Sequence, residues 1–423
     1  MKSPIKTLIS LIISVLTFIG LHISDYDASI CNMSAIVALM ASLWITEAIN
    51  IYITALLPLI LFPFLGIMGM KEIAPNYMSH IIFLFIGGFL LAFGLERWNI
   101  HKRLALKIIL KLGGSPRRIL FSFMLSSYFL SMWILNTATT MMLLPAGLAI
   151  ISQVIKSKDS KFQTGLLLGI AFASSIGGSA TLVGTMPNLI LSNFVKETAA
   201  IQTDINFANW MAIGLPISII FFFITYYLLQ KLFISKNMEK ADMSICKQMF
   251  HEMGSMKWQE KTVSIVFILT VLAWFFRKTI TIGSFKIIGW SNFIHSENSD
   301  LIQDGTIAIL AAIILFLIPS KKKEEGLLHW DDFKKLPIGI IFLFGSGFAL
   351  SKGITSSGLS ILIQHKMEIL QNISPILIMV VLVAFMIFLT EFTSNSASAT
   401  LMIPLVYEAV KSIDVSSVNF LIP

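Results

Sequence analysis

Thirteen stretches of the chain are apolar over a length that matters to a bilayer. They run at roughly 5–23, 33–49, 51–69, 80–95, 119–135, 138–155, 162–176, 205–232, 261–277, 304–319, 336–352, 373–392 and 397–410. A membrane-crossing helix needs about 20 apolar residues. An anchor uses one such stretch, whereas a polytopic transporter or channel uses many. The composition agrees: the 423 residues are 56% hydrophobic and only 13% charged, with a mean hydropathy of +0.83. Soluble domains carry roughly 25% charged residues, and a soluble fold this greasy exposes sticky patches. The fold class expected is an all-α polytopic membrane protein.

The net charge of +8 is better read through topology than through nucleic acid, because Lys and Arg collect in cytoplasmic loops. Arg97, Lys102, Arg103, Lys107, Lys111, Arg117 and Arg118 form one cluster; Lys156, Lys158 and Lys161 form a second; Lys321, Lys322, Lys323, Lys334 and Lys335 form a third. Segment 21–32 has Asp25 and Asp27 but no Lys or Arg. The N-terminus, with Lys2 and Lys6, is therefore expected inside and the 21–32 loop outside. The run at 5–23 exceeds a usual signal core and precedes no clear cleavage pattern, so it reads as a retained span. Cys31 and Cys246 make no disulfide framework. The seven His, among them His101, His251, His295 and His329, form no metal-spaced pair. The sequence holds no phosphate loop, H-E-x-x-H sequence or Ser-His-Asp arrangement, so the chain does not read as an enzyme.

The chain also repeats itself. "IIFLFIGGFLLAFGL" at 81–95 and "IIFLFGSGFALSKGI" at 340–354 share nine of fifteen positions, 259 residues apart. The same shift carries "ILNTATTMMLLP" at 134–145 onto "TSNSASATLMIP" at 393–404, Asn136 onto Asn395 and Pro145 onto Pro404. One register across two blocks points to duplication, which in membrane chains points to transporter folds. If the basic clusters lie inside, span 80–95 runs inward and span 336–352 runs outward, so the repeat is inverted. The parts expected are an extra span at 1–31, a first repeat at 32–232, a connecting amphipathic segment at 233–260 and a second repeat at 261–423.

The polar tips explain themselves in this frame. Segments 119–135 and 138–155 are short for full crossings, and basic residues flank both ends. They read as a re-entrant helical hairpin tipped at 135–137, with a mirror hairpin tipped at 394–396. Breaks of this kind expose helix N-termini, which favour anions, and freed carbonyls, which with Asn, Ser and Thr oxygens suit a hard cation such as Na⁺. Thr139, Thr140, Ser398 and Thr400 read as packing residues. "SSIGGSATLVGTMPNLI" at 174–190 reads as a broken span, unwound at 177–188 through Gly177, Gly178, Gly184 and the Met186-Pro187-Asn188 turn. Glu391 is an intramembrane acid able to carry a proton or to snorkel. Lys352 marks a span end and Glu47 a tight turn.

With these motifs in hand, the chain resembles the divalent anion:sodium symporter family of dicarboxylate, citrate and sulfate transporters. "LSMWILNTATTMMLLP" and "TEFTSNSASATLMIP" look like its paired hairpin motifs, and "GGSATLVGTMPNLI" like its unwound-helix motif. The resemblance implies a homodimer in membrane lipid, moving a small divalent anion, with a C4-dicarboxylate preferred, together with Na⁺ by an elevator motion. It places Ser131, Asn136 and Gly184 at a first sodium site and Thr390 and Asn395 at a second. It places Asn136, Thr137, Asn395 and Ser396 on the substrate carboxylates, with Ser394 and Pro187 beside them. Leu135 stands where the family has Ser, leaving that sodium site only a backbone carbonyl there. Proton coupling, sulfate or citrate specificity, and an anion channel are the alternatives. Position 447, the repeat partner of Asn188, lies past Pro423, so the second copy is expected to be C-terminally truncated, as a fragment or as an inactive product.

Overall fold

Helix starts recur at the spacing read from the sequence. In the computed structural model, His80–Arg97 and Gly339–Ser356 are each 18 residues long, with both bounds shifted by 259 positions. The helices Ile100–Leu112 and Leu359–Met367 start at the same shift. So do Pro116–Ser131 and Pro375–Phe392, and Asn136–Val154 and Asn395–Val410. Local chemistry accounts for several of these starts. Ser115 and Ser374 precede a proline at the first helical position, where its missing N–H costs nothing. Between the first two helices of each set one residue is left-handed, Asn99 at φ +54° in one copy and Gly358 at φ +80° in the other. Glycine and asparagine are the residues that visit this region readily.

The described residues are 4–154, 160–197, 205–235, 243–282, 285–294, 301–320, 326–367 and 373–410. Lys2, Lys156, Lys158, His295, Lys321, Lys322 and Lys323 lie outside them. Among the described residues the structure is almost wholly helical. The strands are one short antiparallel pair, Ile280–Ile282 with Phe285–Ile287. Six helices are long and apolar enough to cross a bilayer: Pro4–Ile23, Ala28–Thr46, Met70–Arg97, Phe207–Phe233, Trp258–Phe275 and Gly339–Ser356. Four shorter ones are also apolar, including Asn136–Ser152 and Pro375–Glu391. This is an all-α polytopic membrane fold. The run at 51–69 forms two pieces rather than one span, Ile51–Thr54 and Leu57–Phe64, and Gly66 at φ +69° follows. Glu47, at φ +45°, makes the turn before them.

The chain divides into two compact units. The first contains residues 1–82, 190–204 and 337–423. Its core gathers Met33, Met40, Trp44, Phe62, Leu343 and Ile354. The Tyr77 hydroxyl donates to the Ala55 carbonyl at 2.6 Å within it. Lys6 donates to the Thr46 carbonyl at 3.1 Å, bringing the start of the first helix level with the end of the second.

The second unit contains residues 83–189 and 205–336. In lipid, helices gain little from the hydrophobic effect, and close packing and interhelical hydrogen bonds hold them together. Here Ser160–Ser179 lies along Pro116–Ser131. Ser127 donates to the Ile170 carbonyl at 2.7 Å, and a Cβ on Gly177 would collide with the Tyr128 carbonyl. The Tyr128 and Ser218 hydroxyls share a bond of 2.7 Å, tying in Phe207–Phe233. The connecting segment folds as Ser244–Glu252. It is clamped by Arg103, which pairs with Glu260 at 2.7 Å and donates to the Gly254 carbonyl at 2.8 Å. A buried pair, Arg277 and Asp304 at 2.5 Å, closes the other end. Asp304 also accepts the Phe207 N–H at 3.0 Å.

Candidate functional site

The first hairpin tip falls earlier in the chain than the sequence indicated. Pro116–Ser131 ends at Ser131, and the next helix already starts at Asn136. The turn is therefore 132–135, and Asn136 and Thr137 form the first turn of a helix rather than a loop. The Leu135 carbonyl accepts the Thr139 N–H at 2.9 Å, which begins the ladder. In the second copy the Ser394 carbonyl accepts the Ser398 N–H, also at 2.9 Å. The two tips thus share one hydrogen bond at one repeat position.

The broken span is also narrower than expected. Helix continues through Gly177 and Gly178 to Ser179 and resumes at Met186, leaving 180–185 non-helical rather than 177–188. Gly177 and Gly178 are needed as flat helix surface, not as a break. A Cβ on Gly178 would lie 2.5 Å from Asn136 Oδ1. Pro187 is half-buried in the first turn of the second piece.

Around this contact the oxygens gather. Ser131, fully buried, donates to Asn136 Oδ1 at 2.6 Å. The Ser174 hydroxyl sits 3.1 Å from Ser131 Oγ and 2.8 Å from the Asn136 carbonyl. A Cβ on Gly184 would lie 2.5 Å from the Gly178 carbonyl oxygen and 3.0 Å from that of Ser131. Asn188 donates to the carbonyls of Gly178 at 3.0 Å and Thr181 at 2.8 Å, bracing the break. Thr181 in turn donates to the Met132 carbonyl. Ser131, Asn136 and Gly184 are therefore brought together. Sequence reasoning gave Ser174, Thr181 and Asn188 no role at the site. Ser174 was legible in principle, lying four residues before Gly178 and so on the same helix face.

Leu135 points elsewhere. Its side chain lines an apolar cavity with Phe85, Phe89, Val183 and Leu189. Its carbonyl accepts the Thr139 N–H and keeps a second lone pair.

Hydroxyls at the two tips fall into two groups. Thr140 donates to the Asn136 carbonyl and Thr400 to that of Ser396, each at 2.8 Å. Thr390 donates to its own helix at Ile387, at 3.0 Å. Thr393 and Ser398 pair with each other. By contrast, the side chains of Thr137, Ser394, Asn395 and Ser396, and Asn136 Nδ2, have no hydrogen-bond partner among the described residues. Thr137 and Asn395 are exposed, and Ser394 and Ser396 half-buried. Thr139 Oγ1 is buried without a partner. Glu391 is exposed. Thus each tip presents uncommitted amide and hydroxyl groups at the start of an apolar helix, where unpaired N–H groups and the dipole favour negative charge.

The family model for the sodium:sulfate symporter transmembrane region matches residues 3–422. The chain belongs to this family. It is a multi-pass integral membrane protein of a transporter family, not an enzyme. Among its relatives is the sodium-dependent dicarboxylate transporter SdcS of Staphylococcus saprophyticus. That protein is 39% identical over 401 residues, covering 92% of this chain and 75% of the relative. The SdcS of Staphylococcus aureus strain MRSA252 is 37% identical over 422 residues, covering 96% and 78%. The corresponding protein of strain USA300 is 38% identical over 403 residues, covering 92% and 75%.

Proposed function

We propose that the chain is a secondary active transporter coupling the entry of a small dicarboxylate, preferably a C4 acid, to Na⁺. The observation that carries this reading is the division of labour at Asn136. Its Oδ1 turns towards Ser131 and Gly178, while its Nδ2 stays uncommitted. One amide can thus offer an oxygen to a cation and an N–H to a carboxylate. The first sodium is held by Ser131, Asn136 and backbone carbonyls around Gly184, with no Lys or Arg at either tip to compete for the anion. Hard cations take such oxygen ligands at breaks in membrane helices. Leu135 offers this site only its backbone carbonyl, since its side chain lines an apolar cavity.

Asn136, Thr137, Asn395, Ser396 and Ser394 hold the carboxylates by amide and hydroxyl donors, with Pro187 shaping the adjoining turn. Asn395 and Thr390 belong to the second sodium site. The two copies are inverted in the membrane, the transporter is a homodimer, and the hairpin-bearing part moves across the bilayer as an elevator. Support for the duplication lies in the four helix starts shifted by 259 residues, and for the coupled ion in the names of the SdcS relatives.

The test is labelled succinate uptake into proteoliposomes of the purified chain, under an imposed Na⁺ gradient or with choline replacing Na⁺. Uptake that needs Na⁺ and survives a protonophore supports the reading. Uptake that is unaffected by choline and lost with the protonophore replaces Na⁺ with H⁺.

A further inference from the structure

A strongly charged surface lies in the second unit, at the opposite end of Pro116–Ser131 from the first hairpin tip. Phe207–Phe233 is an apolar helix with only 17% of its most hydrophobic stretch buried within the chain. Lys231 is exposed in its last turn, flanked by Tyr227 at 62% and Leu232 at 66% exposure. The Tyr226 hydroxyl donates to the Arg117 carbonyl at 3.4 Å. That bond brings the start of Pro116–Ser131, with exposed Arg117 and Arg118, against Tyr226, roughly one and a half helical turns before exposed Lys231. A short turn through Gly113, at φ +92°, leads back to the helix Ile100–Leu112. That helix buries Ala105, Leu106 and Ile109 and turns Lys107 and Lys111 outward. Residues four apart lie on one helix face.

Five exposed cations therefore lie within about two helical turns of this junction: Lys107, Lys111, Arg117, Arg118 and Lys231. None has a carboxylate within ion-pair distance among the described residues. From Arg97 to Lys158 the sequence contains no Asp or Glu at all. Such a concentration of one sign repels itself unless an anion sits against it. Its apolar border tells which anion. Tyr227 and Leu232 belong at the bilayer edge, so the phosphate opposite them is attached to acyl chains. We infer that this face binds the headgroups of anionic phospholipids in the surrounding leaflet. Basic residues at a membrane surface attract such lipids, and this face gathers them from three helices.

The experiment places the purified full chain in mixed phosphatidylcholine and phosphatidylglycerol and measures, by native mass spectrometry, which lipid is retained. Phosphatidylglycerol is expected to be enriched, with enrichment falling at high salt as surface charges are screened. Each cation removed is expected to reduce the enrichment about fivefold, and the triple variant Arg117→Gln, Arg118→Gln, Lys231→Gln by on the order of 100-fold. The charge-keeping variant Arg117→Lys, Arg118→Lys retains it and shows that charge, not fold damage, is being read. Equal retention of the two lipids by the unaltered chain, or undiminished enrichment in the triple variant, overturns the inference. So does displacement of the lipid by glycerol phosphate at equal concentration, which would make this a site for soluble anions. None of these readouts depends on transport.

Discussion

Gly184→Ala isolates the sodium site from the rest of the fold. The added methyl would sit 2.5 Å from the Gly178 carbonyl oxygen and 3.0 Å from both Gly178 Cα and the Ser131 carbonyl oxygen. Ordinary contact begins at about 3.4 Å, so one backbone retreats by about 0.9 Å. All three neighbours are backbone atoms, with no flexible side chain to absorb the shift. Overpacking of this kind costs about 1–3 kcal/mol. The displaced atoms are the carbonyls assigned to Na⁺, so much of the cost falls on ion binding. At 1.4 kcal/mol per factor of ten, the half-saturating Na⁺ concentration rises roughly 5- to 150-fold. The assay is a Na⁺ titration of succinate uptake, paired with thermal unfolding measured with and without Na⁺. Gly69→Ala is the control, since a Cβ there meets nothing within 4 Å. A folded Gly184→Ala protein with unchanged Na⁺ dependence would refute the assignment.

Other predictions follow from single contacts. Ser131→Ala leaves Asn136 Oδ1 without its buried donor, which costs about 1–3 kcal/mol; Na⁺ titration should show weaker coupling, and equal Na⁺ affinity would count against the network. Arg277→Met strands the buried Asp304 carboxylate and should cost about 3–5 kcal/mol in thermal unfolding; a loss below about 1 kcal/mol would mean the pair is not buried as described. Asp332 gives a pH dependence. Burial alone raises its carboxyl, but the Lys335 ammonium, the His329 N–H and the Arg97 guanidinium outweigh this and hold it below the usual range. Its stabilisation is therefore present above the unfolded value, about 3.9, and lost as pH falls through the lower folded one. Asp332→Asn should flatten that acid limb in unfolding scans, and an unaltered limb would contradict the sign.

The sequence made some layers of this architecture readable and hid others, for physical reasons. Hydropathy and the 259-residue register located nearly every helix, because spans and duplications are written in local composition. The run at 51–69 misled, since apolarity is indifferent to the break after Thr54. Gly177 and Gly178 misled in the other direction. Glycine marks both a broken helix and a closely packed one, and only the positions of the Tyr128 carbonyl and Asn136 Oδ1 separate the two. Thr140 and Thr137 look alike in sequence, yet one hydroxyl is spent on its own helix and the other is not. The Arg277–Asp304 pair spans 27 positions without a motif, so only the fold reveals it.

The most direct test of the account is equilibrium binding of labelled succinate to the purified chain across a Na⁺ titration, repeated with Asn136→Ala and Asn395→Ala. The account predicts saturable binding that requires Na⁺ and is lost in both variants, with a steeper Na⁺ requirement in any residual binding. Binding that ignores Na⁺, or that survives removal of both amides, would contradict it.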